Sequence, residues 1–182
     1  MDMPAAPNPD QGQFDLVYQH EPAIVAYCRR RGSRDPEGLA AETMTIAWRR
    51  IADLNTSDCR PWLIATARNL LLEEYRSPRG SYTMDPESFA LVDPRHEPAF
   101  EVESLDPQID RSLAALSPAD REVLLLVAWE DLTPAQAARS LGIRPSAFRV
   151  RLHRARWRFK KAFENPSYEQ SSPSSIPAEE KS

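Results

Sequence analysis

The sequence predicts an all-α protein of two small helical domains, an N-terminal unit of three to four helices and a C-terminal unit of four, joined by a flexible acidic linker. Three observations carry this. The 182 residues hold 5 Gly against 17 Pro, so material for tight β-turns is scarce and an all-β sandwich is disfavoured. Apolar residues recur at helical spacing in segments opened by capping residues or Pro. Between two such groups lies SPRGSYTMDPESFALVDPRHEPAFEVESLD, whose Pro78, Pro86, Pro94 and Pro98 stand too close together for a stable helix. A connection of that length inside one compact domain is improbable, which places a domain boundary there.

Residues 1–12 are polar and Pro-rich, too poor in apolar groups to repay the entropy of ordering, and are expected to form a flexible arm. The first domain, 13–77, opens with Phe14, Val17, Tyr18, Ile24, Val25 and Cys28 at helical intervals, with a break or restart at Pro22 and a stop at Gly32. Asp35 is an N-cap and Pro36 suits the first turn of a second helix running to about Leu54. After a polar loop, Pro61 starts a third helix carrying Trp62, Leu63, Ala67, Leu70 and Leu71, with Trp62 read as a packing residue. The linker spans 78–106 and the second domain 107–163. There Ile109, Leu113 and Leu116 mark a short helix, Ser117 with Asp120 three residues on caps the next, and Thr133, Pro134 and Gly142 bound a third. The last helix buries a stripe of Phe148, Leu152, Ala155, Phe159 and Phe163, and the Ser- and Pro-containing tail 164–182 is expected to be disordered.

The net charge of -4 averages over a strongly uneven distribution. Arg139, Arg144, Arg149, Arg151, Arg154, Arg156, Arg158, Lys160 and Lys161 follow one another without an intervening Asp or Glu, whereas residues 81–110 are acidic apart from Arg95. A basic segment behind an acidic one points to a polyanion partner for the first. No apolar run approaches the roughly 20 residues a membrane span needs, and the N-terminus lacks the basic flank and apolar core of a signal peptide, so a cytoplasmic location without membrane insertion is expected. Cys28 and Cys59 have neither metal-ligand spacing nor the pattern of a disulfide framework, and read as small core residues. With His20, His96 and His153 the only histidines, and no Ser-His-Asp grouping, Gly-rich phosphate loop or His/Cys cluster, the chain carries little acid-base machinery. An enzyme is disfavoured, and no cofactor or metal site is expected.

Two helices joined by a short Gly-bearing turn, the second of them basic and amphipathic, match the DNA-binding helix-turn-helix. Ala135, Ala137, Ala138 and Leu141 supply the small packing face of the first helix. Arg149, His153, Arg156 and Lys160 share one face of the second, flanked by Arg151, Arg154 and Arg158, and Arg at such positions either reads guanine bidentately or clamps phosphate. A basic helix that is merely a solvated face is the plainer alternative. A stand-alone helix-turn-helix regulator with an N-terminal ligand or dimerisation domain is the other functional class these residues allow.

The segment LSPADREVLLLVAWEDLTPAQAARSLGIRPSAFRVRLHRAR resembles the C-terminal promoter-binding domain of bacterial RNA polymerase sigma factors of the extracytoplasmic-function group, in the sigma-70 family, with RLHRAR its most specific string. Independently, DPEGLAAETMTIAWRR resembles the family's polymerase-binding helix, and RPWLIATARNLLLEEYR the helix that follows it. The resemblance implies a sigma factor that binds RNA polymerase core and directs promoter-specific transcription initiation by recognising -35 and -10 elements and promoting strand opening, with no catalysis of its own. It implies as partners the β′ clamp helices and β flap of the polymerase, promoter DNA and, in many members, an anti-sigma factor.

Carried over, the clamp-binding surface comprises Asp35, Glu42, Thr43, Trp48 and Arg49. The family usually has an acidic residue and a glutamine where this chain has Gly38 and Ala41. The loop from Asp53 to Arg60 corresponds to the segment that captures a flipped base of the -10 element, and Asn55, Thr56, Ser57, Asp58 and Arg60 are its reading groups. Arg68, Asn69 and Arg76 are implied to face the melted strand or upstream phosphates. The -35 set is Arg144, Ser146, Arg149, Val150, His153 and Arg154. Members often carry Thr-Val and a Ser where this chain has Ala147, Phe148 and Val150, and an apolar Val150 favours a thymine methyl over a hydrogen bond.

Overall fold

The computed structural model describes residues 9–76 and 106–165. Among the described residues the chain forms eight α-helices, α1 Pro9–Tyr18, α2 Glu21–Arg30, α3 Pro36–Arg49, α4 Arg60–Arg76, α5 Pro107–Ala114, α6 Pro118–Ala128, α7 Pro134–Ser140 and α8 Pro145–Glu164, with two 3-10 turns at Ile51–Asp53 and Thr56–Asp58. The expected linker and tail lie almost wholly outside these residues.

Local chemistry sets most of the boundaries. The carboxylate of Asp35 accepts from Gly38 N at 2.9 Å and opens α3, with Pro36 in the first turn. Ser117 Oγ accepts from Asp120 N at 3.2 Å and opens α6. Thr133 and Gln136 form a reciprocal capping box at α7, where the sequence pattern had given only the Thr. Gly32 (φ 69°) and Gly142 (φ 64°) occupy the left-handed region at the α2–α3 and α7–α8 turns, where a Cβ is strained. Asp131, at φ 50°, makes the comparable turn before α7.

Two boundaries differ from the sequence expectation. Helix α1 begins at Pro9, inside the segment expected to be an arm, and Gln11 bonds Asp15 one turn on at 3.0 Å. Helix α3 ends at Arg49 instead of near Leu54. The apolar period continues through Ile51, but Leu54 turns to extended backbone and the chain tightens into a 3-10 turn. Pro22 marks the restart at α2, as its missing N–H requires.

The apolar faces meet in one continuous core. Val17, Ile24, Tyr27, Leu39, Ile46, Leu63, Leu70 and Leu71 from the first group pack in the same cluster as Val123, Leu126, Leu141, Phe148 and Leu152 from the second. The two helical groups therefore share buried surface through α4 against α7. A smaller cluster of Leu113, Leu116 and Leu125 seats α5 against Phe159 of α8. Of the predicted α8 stripe, Phe148, Leu152 and Ala155 are buried, while Phe159 and Phe163 are half-buried and stack with ring centroids 6.0 Å apart.

Two glycines are expected to respond oppositely to substitution by alanine. Gly142→Ala should destabilise the chain by about 1 to 2 kcal/mol, the cost of a left-handed Cβ. Gly12→Ala, in the α1 interior with nothing within 4 Å, should stabilise by about 0.5 to 1 kcal/mol. Urea unfolding followed by circular dichroism reads both signs.

Candidate nucleic-acid and polymerase interfaces

Helix α8 presents the upstream-element set together. Arg144 is its N-cap residue, and Ser146, Arg149, Val150, His153 and Arg154 are all exposed, Val150 at 51%. Phe148, Leu152 and Ala155 hold the opposite stripe in the core, so their burial fixes which side of the helix the arginines occupy. An open groove of about 680 Å³ runs along this side, lined by Arg144, Ser146, Val150, Arg151, Arg154 and Arg158 with residues from the start of α6. Arg158 pairs with the nearly buried Asp120, clamping α8 to the first turn of α6. Arg144, Arg149, Arg154 and Arg156 are exposed and make no ion pair with another described residue.

The loop before α4 is also ordered by its own side chains. Asn55 Oδ1 accepts from Ser57 N at 3.2 Å and from Ser57 Oγ at 2.7 Å, an Asx turn that holds Asn55 and Ser57 exposed. Asp58 points away from this pair toward α7, where Gln136 Nε2 donates to it at 2.9 Å and Arg139 makes an ion pair. Arg60 is half-buried at the head of α4, Asn69 is half-buried along it, and Arg76 is exposed at its end. Burial, and after it the positive charge of Arg60, lowers the pKa of His20 at the α1–α2 junction.

The clamp-binding set divides. Asp35 caps α3, Glu42 is half-buried, and Trp48 (41% exposed) and Arg49 face outward, with Phe14 of α1 edge-on to the indole at 4.9 Å. Two residues placed at interfaces by the sequence reading are interior instead. Thr43 is fully buried and donates to Leu39 O at 2.8 Å, satisfying its hydroxyl inside the helix. Arg68 is 5% exposed, held within the α4 packing face, so it cannot meet a melted strand in this arrangement.

Residues 16–80 match the family described as sigma-70 region 2, and residues 107–159 match sigma-70 region 4. The chain belongs to the sigma-70 family. That bears out the resemblance to its extracytoplasmic-function group read from the residues. Among curated relatives of this sigma-70 chain, ECF RNA polymerase sigma factor SigE of Mycolicibacterium smegmatis is 28% identical over 149 residues, covering 78% of this chain and 58% of that protein. The probable RNA polymerase sigma factor RfaY of Xanthomonas campestris pv. campestris is 30% identical over 154 residues, covering 80% and 38%. The chain thus spans less than two thirds of either relative. In fold it is similar to CnrH, solved with the cytosolic domain of CnrY (TM-score 0.58, 22% identity, 86% of this chain and 90% of that one). It is also similar to sigma factor RpoE, solved with the anti-sigma factor NepR from Bartonella quintana (TM-score 0.57, 20% identity, 82% and 97%).

What sequence reasoning missed in this sigma-70 chain is a buried ionic cluster between the two helical groups. The Arg31 guanidinium is fully buried; its Nε and Nη2 meet Glu122 at 3.0 and 3.1 Å, and its Nη1 meets Glu130 at 3.0 Å. Tyr27 lies under it, ring centroid 3.7 Å from the guanidinium carbon, and donates its hydroxyl to Glu122 at 3.3 Å. Burial alone would lower the arginine pKa, but Glu122, Tyr27 and Glu130 outweigh it and hold the cation above its ordinary range. No spacing rule marks such a residue. The available signal was an arginine directly before a turn glycine, with Glu122 abutting the apolar run of α6 and Glu130 in the turn that follows it.

Both cysteines are free and buried, as read from the sequence. Burial pushes the Cys28 thiol up to about 12 and raises that of Cys59. A disulfide reagent at pH 8 is expected to leave both unlabelled in the native protein and to titrate both in urea. Rapid labelling of folded protein would contradict the packing around α2 and α4.

Proposed function

We propose that the chain is a promoter-specificity subunit of bacterial RNA polymerase, acting in the cytoplasm and without catalysis of its own. The observation that carries this is the presence, in order, of regions 2 and 4 with the region 4 helix α8 turning its arginines to solvent. In this reading Trp48 and Arg49, with Glu42 beside them and Asp35 capping their helix, meet the β′ clamp helices of core polymerase, and the β flap receives the C-terminal unit. Asn55, Thr56 and Ser57 take up a base extruded from the -10 element, supported by the exposed Asn55–Ser57 turn. Strand opening there exchanges base stacking for protein contacts and needs no nucleophile. Asn69, Arg60 and Arg76 follow the displaced strand. Arg144, Ser146, Arg149, Val150, His153 and Arg154 read the -35 element in the major groove, with Val150 against a thymine methyl. An anti-sigma protein is a further expected partner, as NepR is of the fold neighbour RpoE.

Run-off transcription with purified core polymerase, at fixed salt on a library of promoter fragments, tests this. Transcripts that depend on the protein and share upstream and downstream motifs are expected. Absence of transcripts together with absence of core binding would overturn the reading in favour of a stand-alone DNA-binding regulator. Arg149→Ala is expected to weaken promoter binding by about 1 to 3 kcal/mol and, if it reads a base, to relax preference at one upstream position. Val150→Thr should shift preference at a neighbouring position without loss of core binding.

A further inference from the structure

We infer that Trp157 and Lys161 form a clamp on the sugar-phosphate backbone that flanks the upstream promoter element, outside the residues assigned to base reading. This rests on the proposed promoter function and extends it. Trp157 is 54% exposed, the most open large apolar side chain among the described residues. The Lys161 ammonium lies 5.8 Å from its ring centroid, and the indole N–H makes no hydrogen bond to another described residue. At about 100° per residue, Trp157 and Lys161 fall within about 20° of Val150, one on either side, opposite the buried Phe148, Leu152 and Ala155. The two residues therefore prolong the face proposed to read the -35 element. Helix α8 is also held firm this far along. Phe159 and Phe163 stack with centroids 6.0 Å apart, Phe159 packs in the α5 cluster, and Gln108 Nε2 donates to Phe163 O at 2.9 Å.

Distance assigns the contact to the backbone and not to a further base. In a helix-turn-helix the N-terminal turns of the second helix meet the base edges. Trp157 stands two helical turns beyond Val150, about 10 Å along the axis at roughly 1.5 Å per residue. The major groove is about 12 Å wide, so with Val150 at a base edge the indole comes to the phosphate rim. Bases of a duplex are stacked and paired, which leaves deoxyribose for the flat of the ring. The indole N–H and the Lys161 ammonium can only donate, and phosphate oxygens accept from both. The surrounding charge selects a polyanion over a protein. Arg154 and Arg156 stand exposed beside the ring without an ion pair among the described residues, and Glu164, the one carboxylate of α8, is taken up by Lys160 at 3.7 Å. Lysine is depleted at protein–protein interfaces, whereas aromatic faces set among cations characterise grooves that bind nucleic acid. A ring and a cation presented on a helix anchored at this end lose little freedom when the backbone docks.

Full-length wild type, Trp157→Ala and Lys161→Ala, each loaded on core polymerase, are compared on promoter duplexes in which single phosphates flanking the upstream element are replaced by neutral methylphosphonates. Circular dichroism first establishes that each variant keeps the wild-type helix content, and core binding by each is measured separately. For Trp157→Ala the half-saturating concentration on unmodified promoter should rise about threefold to tenfold, with core binding and the preference among upstream sequences unchanged. Lys161→Ala should flatten the plot of log affinity against log salt by about one unit of slope. Neutralising the contacted phosphate should weaken the wild type, yet leave Trp157→Ala and Lys161→Ala no weaker than on unmodified DNA. Wild-type promoter binding by Trp157→Ala overturns the clamp, as does equal sensitivity of wild type and variants at every methylphosphonate position. A loss confined to particular upstream sequences makes Trp157 a base-reading residue, and a loss of core binding assigns its face to the polymerase; either overturns the clamp. If the wild type neither binds core nor selects a promoter, the promoter reading fails, and the same methylphosphonate series with the free chain then decides the backbone contact by itself.

Discussion

The burial of one guanidinium organises the arrangement of the two helical groups. Arg31 uses Nε, Nη1 and Nη2 on carboxylates of the other group, and its flat face lies on Tyr27. A lysine has neither the planar fork nor the stacking face, so the geometry is specific to arginine. The same site fixes the turn that follows. Tyr75 Oη donates to Arg31 O at 2.8 Å, and the Tyr75 hydroxyl sits 3.2 Å from where a Cβ on Gly32 would project. Through that chain of contacts the end of α4 is tied to the end of α2, and α2 to α6.

Apolar packing and ionic pairing have different tasks in this structure. The core cluster that runs through both groups supplies most of the buried area, and such burial is non-directional. It would tolerate rotations of one group against the other. The bidentate contact of Arg31 with Glu122 would not, because its two donor–acceptor distances constrain orientation as well as approach. The Asp58 contact with α7 adds a second fixed point, and two fixed points on a shared apolar surface leave one register.

Much of the fold was legible because it is written in local chemistry. Caps at Asp35, Ser117 and Thr133, prolines at first helical turns, and Gly32 and Gly142 at left-handed turns are read from neighbouring residues alone. The α8 face was legible for the same reason, since a buried stripe at Phe148, Leu152 and Ala155 leaves the arginines one direction to point. The misplacements share a physical cause. Thr43 and Arg68 were placed at interfaces by the positions they match in the resemblance, but Thr43 satisfies its hydroxyl on its own helix and Arg68 is enclosed by the packing of α4. Whether a polar side chain on an amphipathic helix is interior depends on which neighbouring helix covers it. That is long-range information, as is the pairing of Arg31 with glutamates some ninety residues away.

The distribution of basic residues gives the surface its direction. Nine cations on adjoining helices repel one another, and the structure relieves this at selected points instead of uniformly. Arg139 is neutralised by Asp58, Arg158 by Asp120, and Lys160 by Glu164 at 3.7 Å. These pairs lie where α7 meets the first group, where α8 crosses α6, and at the far end of α8. The stretch from Arg144 to Arg156 has no such relief among the described residues, although nearby carboxylates could have been placed there at helical spacing. Concentrating unrelieved positive charge on the N-terminal two thirds of one helix costs folding stability through self-repulsion, a cost that a polyanion removes when it docks. Exposed Val150 stands in the midst of that charge, the side chain that the proposed reading sets against a thymine methyl.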